Sequence, residues 1–443
     1  MKVVHVAFEC APIFKTGGLG DVVGALPKYQ KELGIESVVV MPGFGWVTQP
    51  STLPGSTVPV WYVNSPYFAK PNPTHDHKIQ APKYAHFAWE TLELLKRREF
   101  VPDIINCHDW HTGLIAWLIK KTESPFFAKT KLLLTIHNIG YQGNFPKEYL
   151  DKQETKIIYE LLPPAQKRVA FLKLGIESAD YISTVSPNHA AEIRTKKVGF
   201  GLGSLIRGKR GKFIGIINGL DYTVWNPHTD PYLFAKFNSR SVDSGKSTNK
   251  AALQKELGLK VDPAVPLYGF VARLSWQKGI DLLAPLLPEF IKRRWQLVIL
   301  GTGDKKYESL LRRFQKKMHK PWLSINFLFD EKMAHTIYGS SDAFIIPSHY
   351  EPCGLTQMIS MAYGTIPVAA KVGGLKDAIS HNKTGILFDQ MSPKGLLDAL
   401  SNAEEIIINT KELSQMRKQM LRQDFSWQKS AREYIKLYRK MLA

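Results

Sequence analysis

Glu351 stands in the stretch AFIIPSHYEPCGLTQMISMAYGTIPVAAKVGGLKD, Ala343 to Asp377. The apolar run Ala343 to Ile346 has the character of a buried parallel strand, and Pro347 and Ser348 stop it. From Leu355 the spacing turns helical, with Leu355, Met358, Ile359 and Ala362 on one face. A carboxylate therefore lies at the carboxyl end of a strand, beside a helix start. Open α/β sheets bind ligands there, and free N–H groups of a helix start attract anions. A carboxylate beside an anion site suits a ligand that is both phosphorylated and hydroxyl-rich, such as a sugar nucleotide. Cys353 in the same loop reads either as a nucleophile or as a small residue lending its backbone.

A glycine motif occurs twice. Lys371 to Asp377 and Lys15 to Asp21 both read K-x-G-G-L-x-D, each between an apolar strand and a helical segment. Paired glycines let a backbone approach a ligand closely, and two copies suggest two similar sheets facing one cleft. Other strand ends are also polar: His108-Asp109-Trp110-His111, His137-Asn138, Asn218-Gly219-Leu220-Asp221, and Arg273 with Gln277-Lys278-Gly279. Asp109 with His108 and His111 has the residue types of a metal trio. The spacing is not H-E-x-x-H, however, and a fourth ligand is not evident. Trp110 reads either as core or as a ring that stacks on a sugar face. Arg273 and Lys278, a planar fork and a point charge, could together neutralise a departing diphosphate. No nucleophile elbow or Walker A pattern occurs.

The elements that must position these residues alternate strand and helix along the chain, which argues a parallel α/β architecture. Six strands are expected in the first half: Val3–Phe8, Ser37–Met41, Ile104–Cys107, Leu132–Ile136, Tyr181–Val185 and Phe213–Ile217. Six more are expected in the second: Leu267–Val271, Gln296–Leu300, Ser324–Leu328, Ala343–Ile346, Ile366–Ala369 and Gly385–Leu387. Residues 46–85 read as a long irregular excursion and residues 238–249 as an exposed loop.

With 443 residues the chain exceeds one core, so two or three domains are expected. No secretory or transit segment and no bilayer-spanning run of ~18–20 residues is expected. Cys10, Cys107 and Cys353 are too scattered for a disulfide framework, and a reducing cytoplasm fits them. The net charge of +20 raises a nucleic-acid partner, but the basic residues are dispersed in short clusters without interleaved aromatics. Most of this charge reads as solvated surface plus a phosphate site.

Eight motifs in order carry a resemblance: K-T-G-G-L-G-D-V, H-D-W-H-T-G, T-I-H-N-I-G-Y-Q-G, T-V-S-P, I-N-G-L-D-Y-T-V-W-N-P, R-L-S-W-Q-K-G, E-P-C-G-L-T-Q and D-F-S-W. From Val3 to about Tyr438 the chain resembles bacterial glycogen synthase and plant starch synthase, the fifth glycosyltransferase family. The resemblance implies two Rossmann-like domains of the GT-B type facing a deep cleft. The first would hold residues 1–216, completed by a returning helix at 427–443, and the second 217–426. It also implies retaining transfer of glucose from ADP-glucose or UDP-glucose to the non-reducing end of an α-1,4-glucan. No metal, cofactor, nucleic acid or membrane is expected to take part.

Residue by residue, the resemblance places Lys15, Gly18 and Asp21 at the donor site. Asp109, Trp110 and His137 would surround the transferred glucose and acceptor, and Asn218 would touch the glucose. Arg273 and Lys278 would hold the diphosphate, and Glu351 the glucose hydroxyls. The backbone of Cys353, Gly354 and Leu355 would line the sugar, with Thr356 at the phosphate. Phe329 falls where bacterial relatives often carry a Tyr that stacks on the base. Val372 stands where the family usually has Thr, and Ile359 where some other retaining enzymes carry a second Glu. The segment 46–85 is shorter than in typical bacterial members. A catalytically weak glucan-binding paralogue is the other reading, and the presence of Lys15, His137, Arg273, Lys278 and Glu351 argues against it.

Overall fold

Parallel strands covered on both faces need apolar side chains on both sides, so they read as unbroken Val/Ile/Leu runs. Runs of this kind build both sheets of the computed structural model, which describes residues 1–70, 76–317 and 321–443. The chain divides into two compact units, Met1–Gly219 with Ser426–Ala443, and Leu220–Phe425.

The first unit holds β1 (Lys2–Val6), β2 (Glu36–Pro42), β3 (Val60–Val63), β4 (Ile104–His108), β5 (Lys131–Ile136), β6 (Asn144–Pro146), β7 (Arg168–Ala170), β8 (Tyr181–Thr184) and β9 (Phe213–Gly215). Seven of these form a parallel sheet in the order β3-β2-β1-β4-β5-β8-β9, while β6 and β7 pair as a separate antiparallel ribbon. The second unit holds β10 (Leu267–Val271), β11 (Gln296–Leu300), β12 (Leu323–Asn326), β13 (Ala343–Ile346), β14 (Ile366–Ala370) and β15 (Ile386–Phe388). They pair in parallel in the order β12-β11-β10-β13-β14-β15. That is the 3-2-1-4-5-6 order of a Rossmann domain, and the first unit has the same order with one strand added. In each unit the winding reverses beside the first strand, between β1 and β4 and between β10 and β13. Ligands bind at the carboxyl edge of such a reversal.

The last helix, Trp427–Leu442, belongs to the first unit. Trp427, Ala431, Tyr434, Tyr438 and Met441 recur at helical spacing and join a core with Val3, Val22, Leu26, Ile104, Leu133 and Ile216. Gly219 lies against Trp427 so closely that a Cβ there would sit 2.5 Å from the indole Cδ2.

All twelve expected strands are present, three with the expected ends and the others with ends shifted by at most two residues. Two sequence readings are corrected. Residues 46–85 are not wholly irregular: they contain β3, and a helix His77–Arg97 begins within them, capped by Asp76 Oδ1 accepting from Lys78 N at 2.9 Å. Pro82 inside that helix disguised it, and residues 71–75 lie outside the described residues. Residues 238–249 are a turn only as far as Ser241, because Val242–Glu256 is helical. Its buried face is polar, with Lys246, Asn249, Lys250 and Gln254 inside, so no apolar period marks it. Lys246 Nζ donates to the carbonyls of Tyr338, Gly339 and Tyr363 and to Thr365 Oγ1. Gly245 allows the helix to approach Phe237, where a Cβ would overlap at 2.4 Å.

Removing the buried indole in Trp427→Ala should destabilise the first unit by roughly 3–5 kcal/mol, the scale for a large core aromatic. A thermal melt that separates the units should show the first transition lowered and the second unmoved.

Candidate active site

In the first unit the polar residues arrive on the loops after β1, β4 and β5. The loop after β1 is folded around Glu9. Its Oε2 accepts from the backbone N–H of Thr16 at 2.8 Å and Gly17 at 3.0 Å, and Oε1 accepts from the Thr16 hydroxyl. This holds the first K-x-G-G-L-x-D in place. Lys15 Nζ lies 2.7 Å from Asp21 Oδ1. Gly18 is exposed, and a Cβ there would meet nothing within 4 Å, so its backbone is open to a ligand.

Asp109 follows β4 with φ 60 and ψ −175, a region that non-glycine residues rarely adopt. Its surroundings over-determine it. Its N–H donates to Thr135 O at 2.9 Å, and its Oδ1 accepts from His137 N at 2.7 Å and Asn138 N at 3.2 Å. Burial raises its carboxyl to about 7, against the lowering effect of those two N–H donors, and Glu9 adds to the rise. His137 follows β5, and burial lowers its imidazole to about 3. Its Nε2 lies 2.9 Å from His108 Nδ1. Asn218 is buried, and its Oδ1 has no hydrogen-bond partner among the described residues. Such an orphaned acceptor calls for a donor the chain does not supply.

Trp110 packs among aromatic rings. It is 8% exposed, stacked on His111 at 4.1 Å between ring centroids and edge-on to Tyr84 at 4.6 Å. Gly143 approaches so closely that a Cβ would lie 2.2 Å from the indole Cε3. These contacts fit the core alternative for its ring. Among the described residues no group of three or more His, Cys, Asp or Glu side chains has metal-holding geometry. His108 instead spends both ring nitrogens on neighbouring histidines.

In the second unit Glu351 and Lys278 come from the loops after β13 and β10, the strands that flank the reversal. Lys278 Nζ lies 2.6 Å from Glu351 Oε2, and Ser348 Oγ donates to the same oxygen at 3.1 Å. The two loops are clamped together. His349 N donates to Gln277 O at 2.9 Å, and Gln277 Nε2 donates to Tyr350 O at 3.2 Å. Gly279, at φ 72, fits against Pro347, whose carbonyl oxygen a Cβ would meet at 1.9 Å. Arg273 is exposed, with no ion pair or side-chain hydrogen bond among the described residues.

The second glycine motif serves this loop. Gly374 N donates to Glu351 O at 3.1 Å, and a Cβ on Gly374 would lie 2.3 Å from Cys353 O. Gly354 is at φ 76, and Gln357 Nε2 donates to the carbonyls of Cys353 and Gly354 at 2.9 and 2.8 Å. Leu355 caps the helix Thr356–Ala362, and Thr356 is hydrogen-bonded to Tyr338. Phe329 is 93% exposed, a free ring beyond β12. Sequence reasoning missed Glu9, Ser348 and the partners of His137. His5 inside an apolar strand was the available signal for the last.

Two Rossmann domains, each with such residues at its carboxyl edge, define a GT-B glycosyltransferase. A starch synthase catalytic domain model matches residues 2–208, and a group 1 glycosyl transferase model matches residues 251–421. Glycogen synthase from Geotalea uraniireducens is 38% identical over 482 residues, spanning 100% of this chain and 99% of that protein. The catalytic domain of starch synthase IV from Arabidopsis thaliana, solved bound to ADP and acarbose, superposes with a TM-score of 0.89 at 31% identity, covering 100% and 99% of the two chains. Sucrose-phosphate synthase from Thermosynechococcus elongatus shares the fold, with a TM-score of 0.69 at 18% identity over 99% of this chain and 98% of that one. The chain belongs to the glycogen synthase and starch synthase family of glycosyltransferases.

The raised carboxyl of Asp109 has a sign that can be measured. The folded protein holds its proton to about pH 7, the unfolded chain only to about 3.8, so this group's contribution to stability falls as pH rises between those values. Asp109→Asn should therefore stabilise the fold at pH 8 by on the order of a few kcal/mol, and by little at pH 4. Parallel melts of both proteins across that range check it. A gap that does not widen with pH would show the carboxylate is not strained by burial.

Proposed function

We propose that the protein is a retaining glucosyltransferase that extends the non-reducing end of an α-1,4-glucan from ADP-glucose or UDP-glucose. The observation that carries this reading is the Lys278–Glu351 pair, 2.6 Å apart at the two strand ends that flank the reversal, with the unpaired Arg273 on the same loop as Lys278. Arg273 and Lys278 would hold the diphosphate and stabilise its charge as it leaves. Glu351 would orient the glucose hydroxyls and favour positive charge at the anomeric carbon. The main chain at Cys353, Gly354 and Leu355 would line the sugar, with Thr356 at the phosphate and Phe329 under the base. Lys15, Gly18 and Asp21 would also serve donor binding. Asp109 would hold the His137 main chain beside the transferred glucose, and the orphaned Asn218 Oδ1 would accept from a sugar hydroxyl.

Retention without a covalent intermediate follows from the carboxylates. A retaining glycosidase needs two carboxyl groups about 5–5.5 Å apart. Glu351 has no second acid in the ten residues after it, and its own oxygen is committed to Lys278. The departing diphosphate would take the acceptor proton on the same face of the sugar.

Arg273→Ala should lower kcat roughly 10²–10³-fold, the scale for one charge-stabilising group. The check is release of nucleoside diphosphate with glycogen as acceptor, run with each donor at matched concentration. Glu351→Gln should keep the fold and lose most activity, and azide should not restore turnover through an inverted glucosyl azide. That azide product, or a glucosyl adduct on Glu351 by mass spectrometry, would sink the same-face mechanism. With the cations supplied by Arg273 and Lys278, activity should persist in EDTA. Loss reversed by Mg²⁺ or Mn²⁺ would show that a metal shares their task.

A further inference from the structure

His137 is the end of a buried chain of polar side chains for which the transfer reaction has no direct use. His137 Nε2 lies 2.9 Å from His108 Nδ1, and His108 Nε2 lies 3.2 Å from His5 Nδ1. His5 Nε2 lies 2.8 Å from Gln30 Oε1, and Gln30 Nε2 donates to the Tyr438 hydroxyl at 3.2 Å. His5, Gln30, His108 and Tyr438 are all 0% exposed. The chain runs from the end of β5 through β4 and β1 to the helices Gly18–Glu32 and Trp427–Leu442.

Burial makes these imidazoles neutral near pH 7. It lowers His5 to about 4 and His137 to about 3, and holds His108 well below its usual range. A neutral imidazole has one N–H and one lone pair. In a row of them, the direction of one hydrogen bond dictates every other. Gln30 turns its amide oxygen to His5, and the Ser37 hydroxyl donates to that oxygen at 3.3 Å. His5 Nε2 must then carry the proton, which leaves Nδ1 to accept from His108 Nε2–H. His108 Nδ1 in turn accepts from His137 Nε2–H. The lone pair of His137 is thus left on Nδ1, which has no partner among the described residues.

We propose that Gln30, His5 and His108 are positioning residues that fix His137 in its Nε2–H tautomer, so that Nδ1 presents a hydrogen-bond acceptor to a sugar hydroxyl. This rests on the reading that places His137 beside the transferred glucose. The hydroxyls of a sugar gaining positive charge become better donors. An acceptor therefore binds the transition state more strongly than the ground state, whereas an N–H in its place would not. The nitrogen that carries the proton is set by the bond the other nitrogen makes, and here that choice is made three side chains away.

Gln30→Met keeps the length of the side chain and removes the acceptor. His5 Nε2–H would be orphaned, which buried N–H groups avoid, so all three rings should reverse and His137 should become Nδ1–H. NMR of the ring nitrogens in histidine-labelled protein reads the tautomer directly, with His137 assigned by its loss in His137→Asn. The wild type should show Nε2–H on His137, and Gln30→Met should show Nδ1–H. kcat should fall roughly tenfold, the scale for losing a partner that orients a functional histidine, with donor KM little changed. Nδ1–H on wild-type His137, or Nε2–H retained in folded Gln30→Met, overturns the proposal. A reversed ring with undiminished kcat overturns instead the placement of His137 beside the sugar.

Discussion

Parallel strands cannot be joined by tight turns. Each must return through a crossover, so every strand ends on the same edge of its sheet. That constraint gathers the chemistry of this protein. In the second unit it delivers Arg273 and Lys278 from β10 and Glu351 from β13 to one edge. In the first it delivers Glu9, Asp109 and His137 from β1, β4 and β5. The sheets fix where the loops begin, and close backbone contacts fix their shape. Gly279 against Pro347 and Gly374 against Cys353 leave no room for a side chain, so the Lys278 and Glu351 loops hold one geometry.

The two halves stabilise their charged groups differently. Glu351 Oε2 is met by the Lys278 ammonium and the Ser348 hydroxyl. Asp109 has no such cation. Its carboxyl is buried against two main-chain N–H groups, and its backbone sits in a rarely populated region. Strain of that kind costs on the order of 1–3 kcal/mol and persists where the surroundings over-determine it. Here they also fix the backbone of His137.

The strands were legible because burial on both faces writes an unbroken apolar run. The helix Val242–Glu256 was not, because its inward face is built from Lys246, Asn249, Lys250 and Gln254, which read as solvent-exposed in any pattern based on polarity. At the site, residue types at strand ends marked Glu351, Arg273, Lys278 and Asp109, but not what each touches. His108 and His111 have the residue types of a metal trio with Asp109 but not the spacing, and the fold turns His108 inward to two other histidines and stacks His111 on Trp110. The repeated glycine motif hid two different constraints. Gly18 faces open space, whereas Gly374 is where one backbone meets another. Spacing in sequence cannot separate those cases, since the partner of Gly374 is Cys353 on a neighbouring loop.

The helix Val242–Glu256 also changes how the protein's charge is felt from outside. Lys246, Lys250 and Arg417 count toward the net +20, yet all three lie inside the second unit. Lys250 lies 2.7 Å from Asp342 Oδ2 and Arg417 lies 2.8 Å from Asp243 Oδ1, while Lys246 is wrapped by oxygen acceptors. Burial also drives Lys246 well below the usual lysine range. Ions in solution screen exposed charges over about 8–10 Å and reach such interior groups far less. To a cation exchanger or a polyanion, the surface is therefore less basic than the composition implies.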